Sequence, residues 1–252
     1  MLIRDEMNIL KSIILFSGIS LSLSVQAQKQ HTHYAQGWLG YMTSVKLSPK
    51  LAIWNDVHID YESFFIARHG ISYTPMKNAT FTGGYAWLFL TTPNSTDLTR
   101  KERRPWAQLQ LIMPMEQGWT VQNRIRYDAR FRQLIQNGDV ADGYTFNNRL
   151  RYQFNIRKNV NLNIFGDAKK FVSLNDEVLL NFGKNIKGNN LDQNRASLFF
   201  GVAKGNHTYQ LGYMHRFVPP ANGNIDKTYH TVVLWINSNF ETKGYKRKVH
   251  GG

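Results

Sequence analysis

Arginine recurs at alternate positions of two neighbouring segments, 119–132 and 144–156, at a spacing that could support ion pairing or anion binding. Guanidinium groups bind carboxylates and phosphates through paired hydrogen bonds. We add two carboxylates that could serve as counter-charges and three arginines of other segments. The candidate set is then Arg68, Arg124, Arg126, Asp128, Arg130, Arg132, Arg149, Arg151, Glu177, Arg195 and Arg216. It predicts either a network of ion pairs that fills an interior or a lining that attracts anions.

One histidine has a carboxylate two positions away and could serve acid–base chemistry. His58 and Asp60 share a face of an alternating segment, and such a pair can transfer protons or help to bind a metal. More often, a histidine–carboxylate pair in a barrel interior is structural, and its hydrogen bonds are satisfied by neighbouring side chains. Some membrane lipid hydrolases place a serine two positions after the histidine, and the histidines at 58, 69, 207, 215 and 230 all lack it. We expect no catalytic residue, no metal and no cofactor, with a membrane lipid hydrolase as the alternative.

The composition excludes several classes of protein. The chain of 252 residues has no cysteine, so disulfide frameworks, cysteine-based zinc sites and cysteine nucleophiles are excluded. It also lacks a phosphate-binding loop and a dinucleotide fingerprint. Lys+Arg number 31 against 17 Asp+Glu, a net charge of +14, which by itself suggests nucleic acid or anionic lipid. Because much of the arginine lies on one face of alternating segments, we expect no nucleic-acid partner.

The first 27 residues have the pattern of a secretory signal. An apolar stretch over 13–25 follows Arg4 and Lys11 and ends in the small-residue site Val25-Gln26-Ala27. We predict export through the Sec pathway with cleavage after Ala27. Met7 is an alternative start, and an uncleaved membrane anchor is an alternative role for the segment.

After this segment the hydrophobic period is two. In 119–132, the odd positions are mostly apolar or aromatic and the even positions are wholly polar, which indicates a strand. Segments 144–156 and 208–217 repeat the pattern, and eight others fit less cleanly: 37–47, 51–61, 64–73, 80–90, 106–113, 171–182, 195–203 and 229–240. Bacterial single-chain barrels have even strand numbers. We therefore expect twelve strands, or alternatively ten, and look for the missing strand in 31–36 or 160–182.

The connections alternate in length. We predict short turns at 48–50, 75–79, 114–118 and 204–207, and long polar loops at 91–104, 134–142, 183–194 and 218–228. Short turns at one end and long loops at the other are typical of an outer-membrane barrel. The aromatic residues near predicted strand ends, as an interfacial girdle requires, are Trp38, Trp106, Trp119, Tyr73, Tyr144 and Tyr229. A soluble periplasmic barrel with its apolar face inside is a further alternative, although so many strands would leave a void.

Seven short motifs resemble a known family in their order along the chain. They are GWLGY (37–41), RRPWAQLQ (103–110), NRIRYDARF (123–131), NNRLRY (147–152), NDEVLLNFG (175–183), LDQNR (191–195) and LGYMHRF (211–217). The chain resembles the domain-of-unknown-function 2490 family of Gram-negative outer-membrane proteins. This resemblance implies an export signal and a membrane barrel, and it implies no reaction. Where the family usually keeps glutamate in the arginine-rich strand, this chain has Asp128.

Together these observations predict an all-β, antiparallel up-and-down transmembrane barrel with a polar, arginine-rich lumen. We expect a signal peptide at 1–27, the barrel at 28–240 and a basic tail at 241–252. The expected location is the outer membrane. The expected partners are its lipid and lipopolysaccharide, the insertion machinery and periplasmic chaperones. We expect a non-catalytic role, either structural or in binding or passing small anionic solutes.

Overall fold

A computed structural model describes residues 30–60, 62–92, 95–220 and 224–242, which form a closed β-barrel. The strands are β1 Gln30–Lys46, β2 Leu51–Asp60, β3 Phe64–Met76, β4 Ala79–Thr92, β5 Ser95–Pro114, β6 Trp119–Gln136, β7 Asp139–Val160, β8 Lys169–Phe182, β9 Leu191–Lys204, β10 His207–Val218 and β11 Ile225–Glu241. A 3-10 turn, Glu116–Gly118, lies between β5 and β6. The predicted signal segment and all but two residues of the predicted tail lie outside the described residues.

Strands that are consecutive in the chain are neighbours in the barrel. All ten consecutive pairs are antiparallel, and β1 meets β11 to close the ring. Because eleven is odd, β1 and β11 run in the same direction. Contacts across this seam agree, since His33 Nδ1 lies 3.1 Å from His230 Nε2 and, further along both strands, Thr242 N donates to Lys46 O.

The expected strand number of twelve, and the alternative of ten, are wrong, because the ring closes on eleven. Residues 31–36 extend β1 and form no strand of their own, and 161–168 connect β7 to β8. The eleven segments recognised from the two-residue period each correspond to one strand. The error came from the rule of even strand numbers, which assumes that the first and last strands pair antiparallel.

Two of the predicted long loops are mostly strand. Residues 95–104 belong to β5, and the segment 134–142 is a hairpin in which β6 and β7 continue to a two-residue turn. Asn137 and Gly138 occupy this turn with φ values of 54° and 86°, a backbone region that Asn-Gly pairs adopt readily in hairpins. The barrel therefore has a hairpin end, to which the tip at 137–138 belongs, and a turn end, with the turns at 47–50, 77–78, 115–118 and 205–206.

The two faces of every strand differ in character. Each strand carries a large apolar side chain that is exposed on the outside: Leu39, Ile53, Ile71, Phe81, Leu111, Ile125, Leu150, Leu174, Leu198, Leu211 and Val232. The inside combines buried arginines and carboxylates with two apolar clusters. One cluster is built on Trp38, Phe199, Met214 and Val233, and the other on Ile66, Ala86, Leu88 and Trp106. The interior is thus part arginine network and part aromatic core. No helix of the described residues is long and apolar enough to cross a membrane.

Three of the six aromatic residues proposed for a girdle face inward. Trp38 and Trp106 are buried within the two apolar clusters, and the ring of Tyr229 lies 4.1 Å from the guanidinium of Arg216. Trp119, Tyr73 and Tyr144 are exposed. Position along a strand suggested the girdle, but the register of alternation decides which face a ring takes.

Two adjacent glycines in β4 give a matched test of how closely the strands approach. A Cβ on Gly84 would lie 1.9 Å from the carbonyl oxygen of His69, whereas a Cβ on Gly83 would meet nothing closer than 3.8 Å. We expect Gly84→Ala to lower the free energy of unfolding by about 1–3 kcal/mol, because backbone atoms cannot yield to the added methyl group. Gly83→Ala should be neutral or stabilising by up to about 1 kcal/mol. Urea unfolding of both variants measures the difference, and equal stabilities would contradict this packing.

Candidate functional site

Glu102 is the centre of a group of three ion pairs inside the barrel. Its carboxylate accepts hydrogen bonds from Arg104 at 2.6 Å and from Arg130 at 2.7 and 3.0 Å, and Arg132 lies 3.9 Å away. The side chain is 1 % exposed. Strand geometry explains why these side chains lie together. Arg104 is two residues from Glu102 on β5 and so shares its face, and Arg132 is the direct partner of Glu102 on β6. One carboxylate thus faces three guanidinium groups from two strands.

Three more carboxylates continue this network around the wall. Arg151 donates to Asp128 at 2.6 Å, and Arg149 lies 2.7 Å from Asp192. Glu177 on β8 receives Arg124 at 2.8 Å and Arg195 at 3.1 Å. We call this the arginine network: Glu102, Asp128, Glu177 and Asp192 with Arg104, Arg124, Arg130, Arg132, Arg149, Arg151 and Arg195. It links five consecutive strands, β5 to β9, through their inward side chains.

Arg126 lies within this wall and has no ion pair with any described carboxylate. Gln108 Oε1 accepts from its Nε at 2.9 Å and from its Nη2 at 2.6 Å. The guanidinium lies 4.8 Å from the ring centre of Trp106 and 5.9 Å from that of Trp54. Its direct neighbour on β7 is Arg151. A buried cation held by an amide and two aromatic faces keeps its positive charge largely uncompensated.

Several N–H donors close to Arg126 in the barrel wall also lack a partner. Arg68 Nε, Arg124 Nε and Trp106 Nε1 are buried and form no hydrogen bond in the described part of the chain. Buried donors are rarely left unsatisfied. Donors of this kind beside an uncompensated guanidinium are suited to water or to a small anion that accepts several hydrogen bonds.

The predicted pair of His58 with Asp60 is not formed, because His58 pairs with Asp56. His58 Nε2 lies 2.9 Å from Asp56 Oδ1, and Trp38 Nε1 donates to His58 Nδ1 at 2.9 Å. Since Trp38 can only donate, Nδ1 accepts and Nε2 carries the proton toward Asp56. Asp56 also receives Arg68 at 2.9 and 2.7 Å.

Asp60 binds elsewhere on the same inward face. It accepts hydrogen bonds from the Ser63 hydroxyl and from Gln36. All three residues at 56, 58 and 60 face inward, so alternation could not tell which carboxylate the histidine would choose. Both ring nitrogens of His58 are occupied, and among the described residues there is no group of three or more His, Asp or Glu arranged to hold a metal ion.

All eleven arginines and carboxylates in the candidate set face the interior. The structure brings nine of them into the network or beside it, while Arg68 binds Asp56 and Arg216 packs on Tyr229. Glu102 and Arg104 are absent from the candidate set, because the run Lys101-Glu102-Arg103-Arg104 is charged at every position, which is typical of a loop. The available signal was that acidic Glu102 lies between the basic residues 101 and 103. Asp56 carried the same signal as Asp60, since each is two positions from His58, whereas Asp192 lay in the predicted loop 183–194.

One family model matches most of the chain. It is described as "Protein of unknown function (DUF2490)" and covers residues 35–227. The chain belongs to this family. The DUF2490 match extends from β1 into β11 and includes every residue of the arginine network. No curated protein matches the chain.

Removal of the central carboxylate tests whether the arginine network stabilises the barrel. We expect Glu102→Gln to lower the free energy of unfolding by about 3–5 kcal/mol, because the guanidiniums of Arg104 and Arg130 stay buried without their counter-charge. Asp176→Asn is the matched control, since Asp176 is exposed and its carboxylate accepts a hydrogen bond from the neutral side chain of Asn194. It should change stability by less than about 0.5 kcal/mol. Urea unfolding gives both values, and a Glu102→Gln barrel as stable as the control would contradict the assignment.

Proposed function

We propose that the protein is a transmembrane barrel of a Gram-negative outer membrane whose interior binds and passes small anions without catalysis. The membrane part rests on the exposed apolar side chains that all eleven strands carry on their outer face. Ile71 and Val232 are 64 % and 61 % exposed, a surface suited to lipid and costly in water. The predicted partners follow from this placement: membrane lipid, lipopolysaccharide, the insertion machinery and periplasmic chaperones. Cleavage after Ala27 belongs to the same proposal.

The alternative of a soluble ligand-binding barrel fits less well. Such a barrel has an apolar interior that accommodates a ligand. Here the arginine network shares the interior with the apolar clusters around Trp38 and Trp106. The lipid-hydrolase alternative gains no support either, because the ring nitrogens of His58 are bound to Asp56 and Trp38.

The anion part of the proposal rests on Arg126 above all. Buried or half-buried arginines outnumber carboxylates on the inner face of the described barrel: Arg68, Arg100, Arg104, Arg124, Arg126, Arg130, Arg132, Arg149, Arg151, Arg157, Arg195 and Arg216 against Asp56, Asp60, Glu102, Asp128, Glu177, Asp192 and Asp226. This excess of positive charge attracts anions and repels cations. The unsatisfied donors beside Arg126 provide the place where an anion would be bound. The large side chains that fill the interior favour narrow passage over the wide diffusion of a porin.

The membrane placement predicts a characteristic behaviour on gels. The folded chain should require detergent and should migrate differently before and after boiling in dodecyl sulfate, because a closed hydrogen-bond ladder resists the detergent until it is heated. Electrophoresis of unheated and boiled samples measures this. A barrel that stays in solution without detergent and shows no shift would contradict the membrane placement.

The anion proposal predicts selective conductance in planar bilayers. We expect small current steps whose reversal potential in a salt gradient indicates anion selectivity, and we expect Arg126→Gln to reduce that selectivity. Lys158→Gln is the control, because Lys158 lies on the outer face over Trp119. Large unselective steps, or cation selectivity, would contradict the proposal. Complete absence of current would contradict passage and would leave a structural barrel.

A further inference from the structure

The four charged residues 101–104 are separated by strand alternation into two opposite environments. Glu102 and Arg104 are buried inside the barrel, where they bind one another. Lys101 and Arg103 are exposed on the outer face. A sequence that reads as mixed charge therefore presents only positive charge to the outside. The carboxylate of Glu102 cannot neutralise these two cations, since it is directed inward to Arg104, Arg130 and Arg132.

The two cations lie in a groove among aromatic side chains. In the β4–β5 ladder Trp87 is the direct partner of Arg103, and Phe89 that of Lys101. These four residues and Tyr85 line a cavity of about 490 Å³ on the outer surface, which we call the basic groove. Its lining is mostly apolar, so it combines a surface for hydrocarbon or sugar rings with two positive charges.

Within the described part of the chain, neither cation of the basic groove forms an ion pair. Arg103 contacts the ring of Tyr144 at 5.2 Å, and neither Arg103 nor Lys101 has an ion pair with a carboxylate of the described chain. Lys158, an outward cation near the turn end, differs, because it donates to the carbonyl of Gln117 and lies over Trp119. The groove thus has charge to offer to a ligand, whereas Lys158 is already engaged.

The basic groove lies where the apolar band gives way to polar residues at the hairpin end. On β5 and β6, Arg103 is level with Phe131, which is paired with Phe146 on β7. Beyond this row, β6 and β7 continue as a hairpin to the turn at 137–138. Cations at such a level in a membrane barrel meet lipid headgroups. Longer projections are typical of the extracellular side of outer-membrane barrels, which directs the groove to the outer leaflet.

We propose that the basic groove binds the phosphorylated glycolipid of the outer leaflet, lipid A, with Lys101 and Arg103 on a phosphate and the rings of Trp87 and Phe89 against its sugar and acyl chains. This inference rests on the proposed membrane placement. Two cations that have no counter-charge among the described residues suit an anionic headgroup. The aromatic lining supplies the apolar contact.

Native mass spectrometry of the folded chain in detergent tests the proposal with defined lipids. The probes are lipid A with its phosphates, the same lipid with the phosphates removed, and phosphatidylglycerol. We expect lipid A to bind the unchanged chain most tightly. The double variant Lys101→Gln, Arg103→Gln should weaken its binding about tenfold or more, because it removes two charge-assisted contacts. Trp87→Leu should weaken binding without a change of charge. Lys158→Gln, which also removes one outward charge, should leave it unchanged.

The outcomes separate this inference from the proposed function. If the chain needs detergent and shows the heat-dependent gel shift but binds lipid A no more tightly than phosphatidylglycerol, the lipid A assignment is overturned and the membrane placement stands. Equal losses for Lys158→Gln and the double variant would show a general charge effect and would also overturn the groove. A chain that is soluble without detergent would overturn both.

Discussion

The arginines buried inside the barrel are the constraint on which the rest of the interior depends. Taking a charged side chain out of water costs several kcal/mol unless a partner of opposite charge and good geometry compensates. Glu102 meets that requirement for two arginines at hydrogen-bond distance, and Glu177 does so for Arg124 and Arg195. Arg104 shares strand β5 with Glu102, but Arg130, Arg124 and Arg195 lie on different strands from their carboxylates. Each of these three pairings therefore also fixes the register of the strands that carry it.

The division of the interior into two parts follows from the same requirement. Arginine needs carboxylates and amides, and β5 to β9 supply most of them. The two apolar clusters draw on the remaining strands and also on β5 and β9, which contribute Trp106 and Phe199. Trp106 and Trp54 lie at the boundary, where their ring faces accept the guanidinium of Arg126. A side chain that is apolar and still favours a cation suits such a boundary. Charged and apolar side chains together fill this interior, in contrast to the wide water-filled lumen found in porins.

Much of the fold was predictable, and the reason lies in the period of two. Strand β6 was recognisable from its sequence because every second side chain is polar, and closure into a barrel followed from the number of such segments. Residues 95–104 were not recognised, because both faces are charged there, inside for Arg104 and Glu102 and outside for Lys101 and Arg103. Alternation detects a difference in polarity between faces, so it fails where the two faces are equally polar.

The sequence predicted which arginines and carboxylates belong to the candidate site, but it could not predict which of them pair with each other. Alternation alone places Arg126 and Asp128 on one face, but which carboxylate each arginine contacts depends on the register between strands. His58 illustrates this, since Asp56 and Asp60 are equally near in sequence and only Asp56 is in contact. Register in turn depends on how the ring closes, and an odd number of strands with a parallel seam was outside the expected rule. Which ion pairs form and how the barrel closes are therefore interdependent, and both are determined only when all eleven strands are in place.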